Sequence, residues 1–227
     1  LRMGCSKLDQ WEILFEHADQ LGMYLHFKTQ ETENDQMLDG GELGIQRKLY
    51  YRELIARFAH HLALNWNIGE ETSNTIPQLQ SFANYFHSTD PYRHHVVVHT
   101  HPNDLDLYGY LLGGQSKFSG SSIQTMWHNV HSVTKRWYQE SAQAGKPWVV
   151  ANDEQGSAKV GVPHDEYTGS PSLTDIRNAV LWGNLMAGGA GVEYYFGYDL
   201  PHSALTCEDF RSRAKPCNYN RHAHPFF

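Results

Sequence analysis

The stretch KPWVVANDEQG, running from Lys146 to Gly156, decides how the chain is read. Proline and tryptophan lead into an apolar β-branched run, Val149-Val150, which stops at Asn152, Asp153 and Glu154 and then at Gly156. Four to eight residues of this kind bounded by turn formers read as a buried strand. Its end carries two adjacent carboxylates.

The surroundings repeat the theme. Val130 to Ala144 has helical periodicity, and Gly145 ends it before the strand. Leu173 to Leu185 is a second helix. It is followed by the small-residue stretch Ala187–Gly191 and a strand at 191–196. Upstream, Leu8 to Gln20 reads as a helix capped by Ser6, with Trp11, Leu14, Phe15 and Ala18 on one face and Gly22 closing it. Strands are expected at 23–28, 63–68, 95–100, 118–124, 147–152 and 191–196. Helices are expected at 48–62 and 77–87 between the first three. Alternating strands and helices imply parallel pairing through right-handed crossovers. No glycine-rich phosphate loop follows the first strand, which argues against a dinucleotide-binding sheet. The polar residues follow several different strands instead. That is the pattern of a (β/α)₈ barrel, whose site is built at the C-terminal strand ends. The expectation is an α/β TIM-type barrel with about six strands, the first two βα units missing, occupying residues 1–227 as a single partial catalytic domain.

The chain has 227 residues, a formal net charge of −7 and 13% aromatic residues. The absence of a basic cluster argues against nucleic acid as the main partner. No apolar run spans a bilayer, and no signal peptide is visible. Cys5, Cys207 and Cys217 make neither a disulfide framework nor a metal-ligand spacing, leaving at most one pair near the C-terminus.

A second acidic strand end matches the first. Asn67-Ile68-Gly69-Glu70-Glu71 closes one strand as Asn152-Asp153-Glu154 closes the other, and they are separated by close to three βα units of about 31 residues. Two missing units in front would make these strands four and seven. Retaining glycosidases need two carboxyls about 5–5.5 Å apart, one ionised as nucleophile and one protonated as acid. The plain alternative is that such acids are solvated or cap the next helix.

The stretches SKLDQWEILFEHADQLGMYLHF, QETEND, RKLYYRELIARFAHHLALNWNIGEE, PWVVANDEQG, LWGNLMAGGAGVEYYFGYD and CEDFRSR resemble retaining glycoside hydrolases of the cellulase-like barrel superfamily. The nearest resemblance is to a group of bacterial glycoside hydrolases, most of them uncharacterised. The resemblance implies a double-displacement O-glycoside hydrolase acting on a polysaccharide or oligosaccharide. Glu154, in the pattern Glu-x-Gly, would be the nucleophile. The superfamily usually has Asn-Glu at the acid/base, where this chain has Gly69-Glu70-Glu71; Glu71 is favoured and Glu70 is the alternative. The resemblance also implies a secreted or periplasmic parent with flanking β-sandwich domains, and no cofactor. A non-catalytic carbohydrate-binding or inactive barrel fragment is the alternative function.

Around the carboxylates, His26, Gln30, Asn67, His99, Gln124, Asp153, Tyr194 and Tyr195 are candidate substrate contacts, with an aromatic after the last strand forming a floor under the sugar. For His99 and His101 no third ligand has zinc spacing, so no metal site is expected there. The acids of Glu31–Asp35 lack the EF-hand pattern and read as solvated. Trp66 and Trp148 read as core.

Overall fold

The computed structural model describes residues 3–203 and 210–226. It is a mixed α/β chain that divides into two compact units. One comprises residues 3–101 and 106–120; the other comprises 102–105, 121–203 and 210–226. Among the described residues the strands form two three-stranded parallel sheets. No described helix is long and apolar enough to cross a membrane.

The first unit runs α1 (Cys5–Gln20), β1 (Leu25–Lys28), α2 (Ile45–Phe58), β2 (Leu64–Asn67), α3 (Ile76–Thr89) and β3 (His95–Val97). The sheet order is β1-β2-β3. Leu25 lies opposite Leu64, and Lys28 opposite Asn67; Asn67 in turn lies opposite Val97. Side chains alternate between the faces of a strand. The apolar alternates Phe27 and Trp66 therefore meet rings from the helices: Phe27 packs on Phe58 of α2, and Trp66 on Phe86 of α3. Tyr51, Phe58, Phe82 and Phe86 are fully buried in this layer. Each such side chain contributes about 1.5–3 kcal/mol by burial. The other alternates, His26, Lys28 and Asn67, are left on the opposite face.

The ends of α1 differ in part from expectation. Gly22 does close the helix, in the left-handed region at φ 69°. At the start, Gly4 rather than Ser6 is the N-cap, and no side chain caps it. The expected core face is only partly used. Phe15 docks on Phe27, Phe58 and His61, whereas Trp11 and Leu14 stay more than half exposed.

The second unit runs β4 (Gly120–Thr125), α4 (Val130–Gln143), β5 (Val149–Gln155), α5 (Leu173–Asp175), a π-helical segment (Ile176–Leu181), α6 (Trp182–Met186), β6 (Gly191–Val192) and α7 (Ala214–Ala223). Its sheet order is β4-β5-β6, with β6 parallel to β5. Val130, Val162, Ile176 and Val180 form the fully buried heart of its core. The last strand is shorter than expected: its parallel pairing with β5 covers Gly191–Val192, with the Glu193 N–H donating to the Asn152 carbonyl, and Phe196 instead forms an isolated antiparallel bridge with Gly161. Trp66 and Trp148 are buried as expected. Cys5 and Cys217 carry free, exposed thiols; Cys207 lies outside the described residues.

Candidate active site

In the first unit the polar face of the sheet gathers around Glu70. This residue follows β2 directly and keeps its register. Its N–H donates to the Gln30 carbonyl, and its own carbonyl accepts from the Thr32 N–H. A backbone held on both sides fixes where the side chain begins. The carboxylate is then reached from three directions. Lys28 Nζ lies 3.1 Å from Oε1, Asn67 Nδ2 lies 3.4 Å from Oε2, and His99 Nδ1 lies 3.9 Å from Oε1. Asn67 Nδ2 also lies 3.0 Å from His26 Nε2. The side chain of Glu70 is 19% exposed and that of His99 fully buried. Period-2 alternation accounts for the grouping, since His26, Lys28 and Asn67 occupy matching positions on adjacent strands.

Gly69 is required by close packing. A Cβ there would stand 2.7 Å from Cβ of Thr72. Asn67, two residues earlier, supplies an amide to Glu70.

Glu71 is placed differently. Its backbone is left-handed, at φ 45°, a conformation that costs a non-glycine residue about 1 kcal/mol or more. Its carboxylate, one-third exposed, meets His101 Nδ1 at 3.5 Å, and His101 is itself nearly half exposed. The two neighbouring acids thus have separate surroundings, one built and one at the surface.

Gln30 is buried, and its whole amide is committed internally. Its Oε1 accepts from Tyr51 Oη and Arg47 Nη1, and its Nε2 donates to Asn74 Oδ1. Asp35, expected among solvated acids, is completely buried. It accepts from the Ser73 N–H and hydroxyl, at 2.7 Å each. The acidic loop after β1 is therefore anchored from beneath, with Glu31 and Glu33 at its surface.

In the second unit Glu154 is partly buried near the end of β5. The Glu154 carbonyl and the Ile123 carbonyl both accept from Asn152 Nδ2, so Asn152 braces the strand rather than facing a ligand. Asp153 is buried, and its Oδ2 accepts from the Ser122 hydroxyl. Gln124 is buried with its Oε1 lacking a hydrogen-bond partner among the described residues. Gln155 spans to the residues after β6: its Nε2 donates to the Glu193 carbonyl and its Oε1 accepts from the Tyr195 N–H. Tyr195 spends its hydroxyl on the Ala158 carbonyl. Tyr194 packs against the apolar core of this unit, and burial pushes its phenol well above the ordinary range. Sequence reading missed Lys28 as the partner of Glu70, and Ser122 as that of Asp153. The signal lay in strand alternation, which places Lys28 beside His26 and Asn67.

No protein-family model matches the chain, and no curated protein matches it.

Proposed function

We propose that the chain is the catalytic domain of a retaining O-glycoside hydrolase acting on a polysaccharide or oligosaccharide, built on a (β/α)₈-type barrel plan. The barrel reading is supported by strand–helix alternation and parallel register within each sheet. The family reading is supported by the sequence resemblance, which also implies a secreted or periplasmic parent with flanking β-sandwich domains. The observation that carries the function is the treatment of Glu70: a carboxylate just past a parallel strand, half-buried, with its backbone pinned and an ammonium, an amide and an imidazole around it.

In this reading Glu154 attacks the anomeric carbon and forms a covalent glycosyl-enzyme. The acid/base protonates the departing oxygen and then takes a proton from the water that releases the sugar. Glu70 is the better acid/base candidate of the two neighbours. Its position is fixed, and the Lys28 ammonium beside it supports the carboxylate form needed as base in the second step. Glu71 points to an exposed histidine. His26 and Asn67 orient Glu70 and can hydrogen-bond sugar hydroxyls.

The test uses aryl glycosides with good and poor leaving groups, chosen after a polysaccharide panel has identified the sugar. Glu154→Gln is expected to abolish turnover of both. Glu70→Gln should slow poor leaving groups by about 10²–10⁴-fold and good ones far less. If Glu71→Gln shows that dependence instead, the roles of the neighbours are exchanged. If neither variant shows it, the mechanism is wrong.

A further inference from the structure

We propose that Glu12, His60 and His61 form a binding site for a divalent transition-metal ion of the zinc class, with Asp19 orienting His61. The site lies within the first unit, apart from the polar face that carries Glu70.

The sequence of local causes is simple. α2 ends at Phe58 with Ala59 as its C-cap, and the chain turns through His60 and His61, with the His61 N–H donating to the Phe58 carbonyl. In a turn, consecutive side chains are not forced to opposite sides, and the two imidazoles lie with ring centroids 4.2 Å apart. On α1, Glu12 and Asp19 are seven residues, about two turns, apart, and both present carboxylates to this turn. Between them, Phe15 packs edge-on against His61 with centroids 5.5 Å apart.

The donor set and its spacing fit a metal. His60 Nε2 lies 2.9 Å from Glu12 Oε1, and His61 Nε2 lies 3.4 Å from the same oxygen. One ligand atom from each of the three falls within 4.8 Å of the others. Ligands held tetrahedrally at about 2.0–2.1 Å from a zinc ion stand roughly 3.3 Å from one another. Two imidazoles and one carboxylate with a fourth position open to water is a recognised zinc ligand set.

The second, independent observation is His61 itself. Its side chain is 1% exposed, yet its Nε2 is buried with no hydrogen-bond partner among the described residues. Buried polar atoms are satisfied in the great majority of cases. Its other nitrogen is fully engaged: Nδ1 lies 2.7 Å from Asp19 Oδ2. A carboxylate on Nδ1 fixes the tautomer with the lone pair on Nε2, which is the arrangement of metal-bound histidines. His60, half exposed, and Glu12, about 30% exposed, can adjust to close the shell.

The test is a Zn²⁺ titration of the purified protein by calorimetry, with Co²⁺ as a spectroscopic probe. We expect saturable Zn²⁺ binding that weakens by about tenfold or more in Glu12→Gln and in His60→Ala, and by about 10–100-fold in Asp19→Asn. The Co²⁺-loaded protein should show visible ligand-field bands that disappear in the same variants. His61→Ala alters a buried position and can disturb folding, so the partly exposed Glu12 and His60 decide the question. Absence of saturable Zn²⁺ binding, or an affinity unchanged in both Glu12→Gln and His60→Ala, overturns the proposal.

Discussion

Replacing Arg47 with methionine tests the account of how the loop after β1 is held. Arg47 lies in the first turn of α2 and is 1% exposed. Beyond the bridge of Glu31 to Glu70, the loop up to Gly44 pairs with no strand, so its inward carbonyls need donors from elsewhere. Arg47 supplies them. Its Nη2 donates to the carbonyls of Asp35 and Leu38, its Nε to that of Glu42, and its Nη1 to Gln30 Oε1. Phe82 closes the site from below, its ring centroid 4.7 Å from the guanidinium carbon. A guanidinium offers five donors in a fixed fork, which lysine cannot reproduce.

Methionine fills the volume but removes four charge-assisted hydrogen bonds: the Glu42 carbonyl loses its donor, while Gln30 Oε1 keeps the Tyr51 hydroxyl, the Leu38 carbonyl the Gly41 N–H and the Asp35 carbonyl the Asn74 amide. Hydrogen bonds from a charged donor are worth about 1.5–3 kcal/mol each, and with the remaining donors and water compensating in part about 3–5 kcal/mol is expected in total. For a chain of this size that is a fall in Tm of roughly 6–20 °C. Arg47→Lys should lose most of the same stability. The control is Glu140→Gln, which breaks an exposed i,i+4 pair with Arg136 and should cost about 0.3–0.5 kcal/mol. Because the Gln30 carbonyl accepts from the Glu70 N–H, hydrogen exchange at Glu70 should also accelerate in Arg47→Met. A melting temperature within about 2 °C of wild type, matching the control, would refute the reasoning.

The other predictions concern single sites. Burial works against the charge of Asp90, but hydrogen bonds from His94, Trp66 and the Tyr92 N–H outweigh it and hold the carboxyl below its ordinary value of 3.8. A depressed native pKa stabilises above the unfolded value and is lost as pH falls through the native one. Asp90→Asn should therefore destabilise at neutral pH, with the gap to wild type closing below about pH 4 in urea melts. Gly161 is left-handed, and a Cβ there would stand 2.3 Å from the Tyr195 carbonyl oxygen. Gly161→Ala should thus cost clearly more than the roughly 1–2 kcal/mol of the left-handed conformation alone, which is all that Gly22→Ala should show, since nothing lies within 4 Å of its Cβ. Ser172→Ala removes the hydroxyl half of a capping box with Asp175 and leaves the backbone N–H of residue 172 donating to Asp175 Oδ2; it should cost about 1 kcal/mol by chemical denaturation.

Much of the fold was legible because local and tertiary signals agreed. The six expected strands overlap those at 25–28, 64–67, 95–97, 120–125, 149–155 and 191–192. Val96 and Val97, Trp66 and Val150 are apolar, β-branched or aromatic, and buried. Where signals conflicted, local reading failed. Ser6 looks like a cap, but helical geometry begins at Cys5. Trp11 and Leu14 have helical spacing with Phe15, yet spacing says only that residues share a face, not how much of that face another element covers.

The candidate site was legible as positions but not as environments. Adjacent glutamates after a strand are visible in the sequence; that one has a pinned backbone and the other a left-handed one is not, because the difference arises across three strands. The Gln30 carbonyl of the loop after β1 takes the Glu70 N–H, and the Gly69 carbonyl takes the His99 N–H. With Gly69 crowded by Thr72, the chain has no freedom until Glu71, where the turn must be made and the left-handed conformation appears. Strain therefore falls on the residue that the Asn-Glu comparison favoured, and order on its neighbour. The same limit hid the His60–His61 pair. Adjacent histidines match no zinc spacing, and their partners Glu12 and Asp19 lie on a helix two elements earlier in the chain. Ligands gathered across helices leave no local pattern, so only an unpartnered buried nitrogen reveals them.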